Sequence, residues 1–456
     1  LPPAAAPGSP ARPMKTNPHR PDRRKINVVT LGCSKNLVDS EVLLAQLRAA
    51  GKTATHEAEQ DDAGTVVINT CGFIDRAKEQ SIQTIFHHLE RKRRGQVERV
   101  IVTGCLSHRY RDELRAEMPE VDAFFGNHED LPNLLRELGA DYRKELVGER
   151  TPLDQGHYAY LKISEGCSRG CSFCAIPLMR GKHRSRELEF LVNEARFLVD
   201  KGVKEILLIA QDLSSYGLDL YGKKRLRELL EALADIPGLA WLRLHYAYPA
   251  GFPTNVLPVL AERANVCKYL DMPVQHISTP VLKRMRRAID RERTEELLLR
   301  IRAEVPGITL RTTLLVGHPG ETEEDHAQLL DFLTRHRIER VGVFPYSHEE
   351  NTHSHTFADD VPAAVKQRRF DEVMQLQQSI SREINQAKLG QTLRVLVDRK
   401  EGRTWRGRTE GDSPEVDNEV LLKGRDLAPG RFVQARITQA FEYDLVGEVI
   451  PPAETR

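Results

Sequence analysis

The chain has 456 residues, with 67 Lys and Arg against 66 Asp and Glu and a formal net charge of +1. So even a balance excludes a global basic field for nucleic acid or anionic membrane, leaving any RNA contact local, and no apolar run approaches the ~20 residues of a membrane helix. The length suits about three domains, and seven cysteines, an odd number, fit metal ligation in a reducing, cytoplasmic compartment better than a disulfide framework.

Residues 1–25, rich in Pro, Arg and Ala, have little to bury and are expected to stay disordered. They lack the apolar core of a signal peptide, and Met14 is a candidate initiator. Residues 26–145 then alternate strand and helix. Strands are expected near Ile26–Leu31, Thr65–Asn69 and Val97–Thr103, with helices near Asp39–Ala50 and Asp75–Glu90, the pattern of a parallel α/β sheet with crossover helices. Cys33 follows the first strand in TLGCSKN, Cys71 the second in VVINTCGF and Cys105 the third in VIVTGCLS. In an open α/β sheet the carboxyl ends of the strands share one edge, which is the usual ligand crevice. Three cysteines distant in sequence are therefore predicted to meet there. Each adjoins a glycine (Gly32, Gly72, Gly104) that permits tight turns and close backbone approach. One such cysteine reads as an ordinary small buried residue; three after successive strands read as the ligands of an iron–sulfur cluster.

Residues 155–385 repeat the alternation at a length suited to a (β/α) barrel or partial barrel followed by a linker helix. Cys167, Cys171 and Cys174 lie in GCSRGCSFCAIP, directly after the strand YAYLKIS. Three thiolates on one short loop can hold three irons of a [4Fe–4S] cube and leave the fourth open. A zinc knuckle is the alternative, with His183 as the candidate fourth ligand that a closed structural zinc site requires. In EILLIAQD a buried strand leads to Gln211 and Asp212, which should face the same mouth. Further strands are expected in WLRLHYAYP, KYLDMPVQH, ITLRTTLLVGHPGE and RVGVFPYSHEEN. VGHPGE reads equally as a Gly/Pro turn, LKRMRR as a solvated helix face, and Cys267 as a core residue.

Asp359 to about Gln386 shows helical periodicity. Residues 388–451 change to short β-rich runs, suggesting a small five-stranded barrel of OB-like type. From Lys388 to Ile450 the sequence holds 11 Lys and Arg and 11 Asp and Glu, and a neutral barrel with the acidic loop GDSPEVDNE is a poor phosphate binder. Asp412, Glu415 and Asp417 are candidates for docking a basic protein by charge complementarity, with a solvated turn as the alternative.

With Phe173 just before Cys174, the C-x₃-C-x₂-C spacing resembles the signature of the radical S-adenosylmethionine (SAM) enzymes, in which SAM occupies the open iron and its reductive cleavage releases a deoxyadenosyl radical. The three blocks in order resemble the methylthiotransferase family of those enzymes: a domain with three scattered cysteines, a radical-SAM barrel and a C-terminal TRAM domain. The resemblance runs from about Ile26 to Ile450. LDMPVQH, LLVGHPGETEED and the Gln211–Asp212 pair match the family's barrel segments, which implies Phe173, Gln211, Asp212, Val316 and Gly317 as SAM contacts. TLGCSKNLVDSE, GRTEGDSPEVD and EYDLVGE resemble the branch that modifies a ribosomal protein. That resemblance implies two [4Fe–4S] clusters, one cleaving SAM and one presenting sulfur, and a second SAM as methyl donor. It also implies a flavodoxin or ferredoxin as electron donor and, as substrate, an aspartate of the twelfth small-subunit ribosomal protein, methylthiolated at its β-carbon. Two other readings stand beside it. One is the same reaction on a tRNA adenosine, which should bring a basic terminal barrel; the other is a non-catalytic, metal-containing ribosome-binding protein, which needs closed four-ligand sites.

Overall fold

The computed structural model describes residues 21–58, 62–150, 152–153 and 156–451. The N-terminal sheet is built from β1 (Asp22–Thr30), β2 (Thr53–His56), β3 (Ala63–Thr70), β4 (Arg99–Gly104) and β5 (Ala123–Phe124), all parallel in the order β2-β1-β3-β4-β5. Helix α1 (Ser34–Ala49) follows β1 and α2 (Asp75–Arg93) follows β3. All eight residues of β3 are buried, because helices cover both faces of a parallel sheet. Val67 points to the core with Leu43, Leu44 and Leu47 of α1, and Val66 and Ile68 point to the other core with Ile85 and Leu89 of α2. The tail expected over residues 1–25 stops short of its predicted end: Asp22 to Lys25 already belong to β1, with Asp22 opposite Ala63 and Lys25 opposite Thr53. Residues 1–20 lie outside the described residues.

The central sheet joins β6 (Tyr158–Lys162), β9 (Glu205–Ile209), β10 (Trp241–Leu244), β11 (Val266–Asp271), β12 (Thr309–Val316) and β13 (Arg340–Pro345) in the order β13-β12-β11-β10-β9-β6. Every pairing is parallel, so of the two forms expected the structure takes the open, partial one. A short antiparallel pair, β7 (Ser164–Glu165) and β8 (Arg184–Ser185), brackets the first cysteine loop. Alternation along the strands sends Leu161, Leu208, Leu244, Leu314 and Val316 to the helix-covered core. Tyr158, Tyr160, Leu207 and Ile209 go to the opposite, inner face, where Val38 of α1 packs on them.

The long helix Ala363–Gln386 leads into β14 (Thr392–Glu401), β15 (Thr404–Arg408), β16 (Val420–Lys423), β17 (Phe432–Ala440) and β18 (Leu445–Ile450), which close into the expected five-stranded barrel. Trp241 of β10 meets Phe432 of β17 edge to face at 4.9 Å, and Cys267 is a fully buried core residue beside them. The loop between β15 and β16 corrects the docking expectation. Asp412, 2% exposed, pairs with Arg340 at 2.6 Å. Asp417 pairs with Arg311 at 3.3 Å and accepts from the Tyr269 hydroxyl at 2.7 Å. Arg243 Nη1 donates to the Glu410 carbonyl at 2.6 Å, and Ser413 Oγ lies 3.0 Å from His245 Nε2. The loop is thus a plug on the inner face of the central sheet, because the arginines buried there need counter-charge. Of the three acids only Glu415 is exposed, and even its carboxylate lies 3.3 Å from the Tyr158 hydroxyl.

Candidate active site

The loop of Cys167, Cys171 and Cys174 is fixed mainly by backbone hydrogen bonds. Cys167 N donates to Gly181 O at 3.0 Å, Ser172 N to Met285 O at 3.0 Å, and Ser354 N to Ser172 O at 2.7 Å. Gly166 has φ +72°, and a Cβ there would stand 2.2 Å from Lys182 O, so the turn into the loop requires glycine. Two donors face the sulfurs: Arg169 N lies 3.4 Å from Cys167 Sγ and Arg287 Nη1 3.5 Å from Cys171 Sγ. Both guanidinium groups flank the Tyr248 ring at 4.2 Å. Burial pushes Cys167 up to about 11 and Cys174 up to about 12, so these are neutral thiols until a cation takes the proton's place. Soft, desolvated sulfurs with N–H donors aimed at them fit the environment of an iron–sulfur cluster.

The residues expected around SAM divide into two groups. Gln211 donates to Glu165 at 3.0 Å while its Oε1 is buried without a partner, leaving an acceptor at the sheet's carboxyl edge. Phe173 packs with Val281, Met285, Leu315 and Tyr346. Asp212, by contrast, accepts from Arg169 Nε at 2.8 Å, Ser215 Oγ at 2.6 Å and Ser214 N at 2.8 Å, so it anchors Arg169 under the loop. Val316 lies in the helix-side core and its carbonyl accepts from Tyr346 N at 2.8 Å. The inner-face residue at that strand end is Leu315, one position earlier, as the period of two dictates. Gly317, at φ +76°, leaves no room for a Cβ beside Lys366 and donates its N–H to Glu321.

The three N-terminal cysteines converge through their glycines. A Cβ on Gly32 would stand 2.6 Å from Cys71 Cβ, one on Gly72 2.8 Å from Leu106 Cα, and one on Gly104 2.5 Å from Thr70 O. The charge on Cys33 acts on both Cys71 and Cys105. Burial raises Cys71, and takes Cys105 to about 11. Burial also pushes Cys33 up, but the charges of Lys35 and Arg180 and the N–H groups of Asn36 and Lys35 outweigh it and leave the thiol lowered. This set fits a cluster by the same donor chemistry, and among the described residues no trio of His, Cys, Asp or Glu is drawn in tightly enough for a single ion.

Arg180, 3% exposed, connects the two cysteine regions. Its Nε lies 3.2 Å from Cys105 Sγ, and its Nη1 reaches Asp39 at 2.8 Å and Glu165 at 3.1 Å; Nη2 binds Asn36 Oδ1. Lys162 ties Glu165, at 2.6 Å, to Asp39. Sequence reasoning missed Arg180, Arg169, Glu165 and Arg287; LKRMRR, read as a solvated helix face, in fact ends in the buried Arg287.

Three family models match. Residues 25–126 match "Uncharacterized protein family UPF0004", 161–333 the "Radical SAM superfamily" and 389–450 the "TRAM domain". The ribosomal protein uS12 methylthiotransferase RimO of Cytophaga hutchinsonii is 54% identical over 430 residues, covering 94% of this chain and 98% of that protein. Its counterpart from Flavobacterium johnsoniae is 56% identical over 93% of this chain and 98% of its own length. Among solved structures, the radical SAM methyltransferase TsrM from Kitasatospora setae, with cobalamin and a [4Fe–4S] cluster bound, superposes with TM-score 0.54. It is 15% identical, covering 90% of this chain and 84% of that one, a likeness of fold alone. With two sets of three cysteines at the carboxyl ends of successive parallel sheets and relatives this close along nearly its whole length, the chain belongs to the radical SAM methylthiotransferases, in the RimO family.

Proposed function

We propose that this protein transfers a methylthio group to the β-carbon of an aspartate in ribosomal protein uS12. An unactivated C–H has no usable acidity, so acid–base catalysis cannot open it. Cys167, Cys171 and Cys174 would hold the cluster at which SAM binds, and Cys33, Cys71 and Cys105 an auxiliary cluster. Bound there, these groups supply one-electron cleavage of SAM and a sulfur source. The chain's own residues do the rest. Arg169 and Arg287 donate toward the sulfurs, Asp212 fixes Arg169, and the unpartnered Gln211 Oε1 offers an acceptor to an ammonium group. Arg180 holds the auxiliary set against the sheet edge.

The observation that carries this reading is the network that runs from Cys105 through Arg180 to Glu165, two residues before Cys167, in a chain more than half identical to proteins named for uS12 methylthiotransfer. A flavodoxin or ferredoxin as electron donor and a cytoplasmic location, where the ribosomal substrate is made, complete the proposal; no helix among the described residues is long and apolar enough to cross a membrane. The test is anaerobic incubation of the reconstituted protein with SAM, a reductant and either uS12 or tRNA, read by mass spectrometry. A methylthio adduct on uS12 is expected, and an adduct on tRNA alone would replace this reading with the nucleic-acid one.

A further inference from the structure

The first turn of α1 carries a cation whose ammonium is left without a hydrogen-bond acceptor. Lys35 is 8% exposed, and its ammonium stands 3.5 Å from the centroid of the Tyr246 ring. Among the described residues it makes no hydrogen bond or ion pair. Three groups bring negative charge to bear on it, Cys33 first and then Asp271 and Glu165; Cys33 belongs to the auxiliary set, and other cations already hold both carboxylates. Arg311 reaches Asp271 at 3.2 Å; Lys162 and Arg180 reach Glu165 at 2.6 Å and 3.1 Å. A ring face returns only part of what water gives an ammonium, and burying a cation away from an anion is unfavourable. None of the three reaches the ammonium with a hydrogen bond, so the position has a free donor for an anion from outside the chain.

The floor beneath that ammonium is fixed. Tyr246 follows β10 with φ +64°, a left-handed conformation that an aromatic residue adopts only where its surroundings enforce it and that clusters at functional sites. Its ring packs with Leu37 and Val38 of α1 and with Tyr160 and Ile209 of the sheet. Cys33 lies two residues before Lys35. On the other side Glu165 leads through Gln211 to the carboxyl edge of the sheet and, one turn later, to Cys167.

We propose that Lys35 receives the side-chain carboxylate of the substrate residue and thereby selects an aspartate over its amide. This rests on the reading that the substrate is an aspartate of uS12. A carboxylate seated over Tyr246 lies between the two cysteine regions, and its neighbouring β-carbon is held there by a charge-assisted hydrogen bond.

The test uses reconstituted holoenzyme and two synthetic peptides of the modified uS12 loop, one with the target Asp and one with Asn. Binding is measured by fluorescence anisotropy for the wild type, K35M and K35R, with iron content checked in each. The wild type should prefer Asp by about 10- to 100-fold, the range of a hydrogen bond to a charged group. K35M should bind the two peptides alike, and K35R should recover most of the preference. If K35M fails to assemble its clusters, K35Q carries the same comparison. Full preference retained by K35M or K35Q overturns the proposal, as does a wild type indifferent to the amide. Lost sulfur or iron with unchanged preference would assign Lys35 to the cluster and overturn it equally. A wild type that leaves the Asp peptide unmodified counts against the proposed reaction; modification with unaltered preference counts against Lys35 alone.

Discussion

Each cysteine set has its own electrostatic surround, which makes their roles separable. Cys171 faces Arg287 and Tyr248, whereas Cys105 faces Arg180 and Asn36. Replacing Cys171 by Ala is expected to abolish SAM cleavage to deoxyadenosine and leave about half the iron, about four of eight for two [4Fe–4S] clusters. Replacing Cys71 by Ala should leave the other half and spare deoxyadenosine formation while ending methylthio transfer. Iron analysis and chromatography of the nucleoside decide this, and equal loss of SAM cleavage in both folded variants would reverse the assignment. The cysteines were legible because a cluster demands one residue type at fixed positions. Arg180 was not: its partners lie 75 residues away at Cys105 and 144 at Asn36, and nothing local marks an arginine that acts across domains. The facing of Val316 was legible too, since alternation along Thr309–Val316 assigns its side chain to the helix side and that of Leu315 to the inner face.

The terminal loop shows what charge alone conceals about an element. GDSPEVDNE looks like a solvated acidic turn, yet Asp412 and Asp417 neutralise arginines of two strands away from water. Breaking such a pair from one side strands a buried cation, so Asp412→Asn should cost about 3–5 kcal/mol. Glu415→Gln, at the exposed end of the loop, should stay within about 0.5 kcal/mol. Urea-unfolding midpoints of the two variants test the contrast, and equal effects would contradict the plug. The central strands were readable because strands covered on both faces are near-continuous apolar runs. Short β2 and β5, of 4 and 2 residues, carry too little pattern to be read. Helix α1 begins at Ser34, earlier than periodicity suggests, because Cys33 is extended and serves as its N-cap.

Across the whole molecule the shifted histidines all move one way. Burial lowers His56, His108, His183, His326 and His336, takes His318 to about 4, and, with Arg243 and Arg311 adding to it, depresses His245 most strongly. A histidine with a depressed folded pKa contributes its full stability above the unfolded value of 6.5 and loses it as pH falls toward the folded pKa, because only the unfolded chain takes up the proton. Stability should therefore decline from pH 6.5 downward, by up to about 1.4 kcal/mol per pH unit for each such group. His245→Gln should flatten that slope, read as unfolding midpoints at several pH values; an unchanged slope would exclude His245 as a contributor. The plug has one more consequence, in the order of synthesis. Arg243, Arg311 and Arg340 belong to strands made before Thr409–Asn418, and at about 5–20 residues per second the 78 residues from Arg340 to Asn418 take roughly 4 to 16 s. During that interval Arg340 lacks the carboxylate that later neutralises it, whereas Arg243 and Arg311 already have Glu205 and Asp271, so the domain that performs the chemistry is completed only when the last one is made.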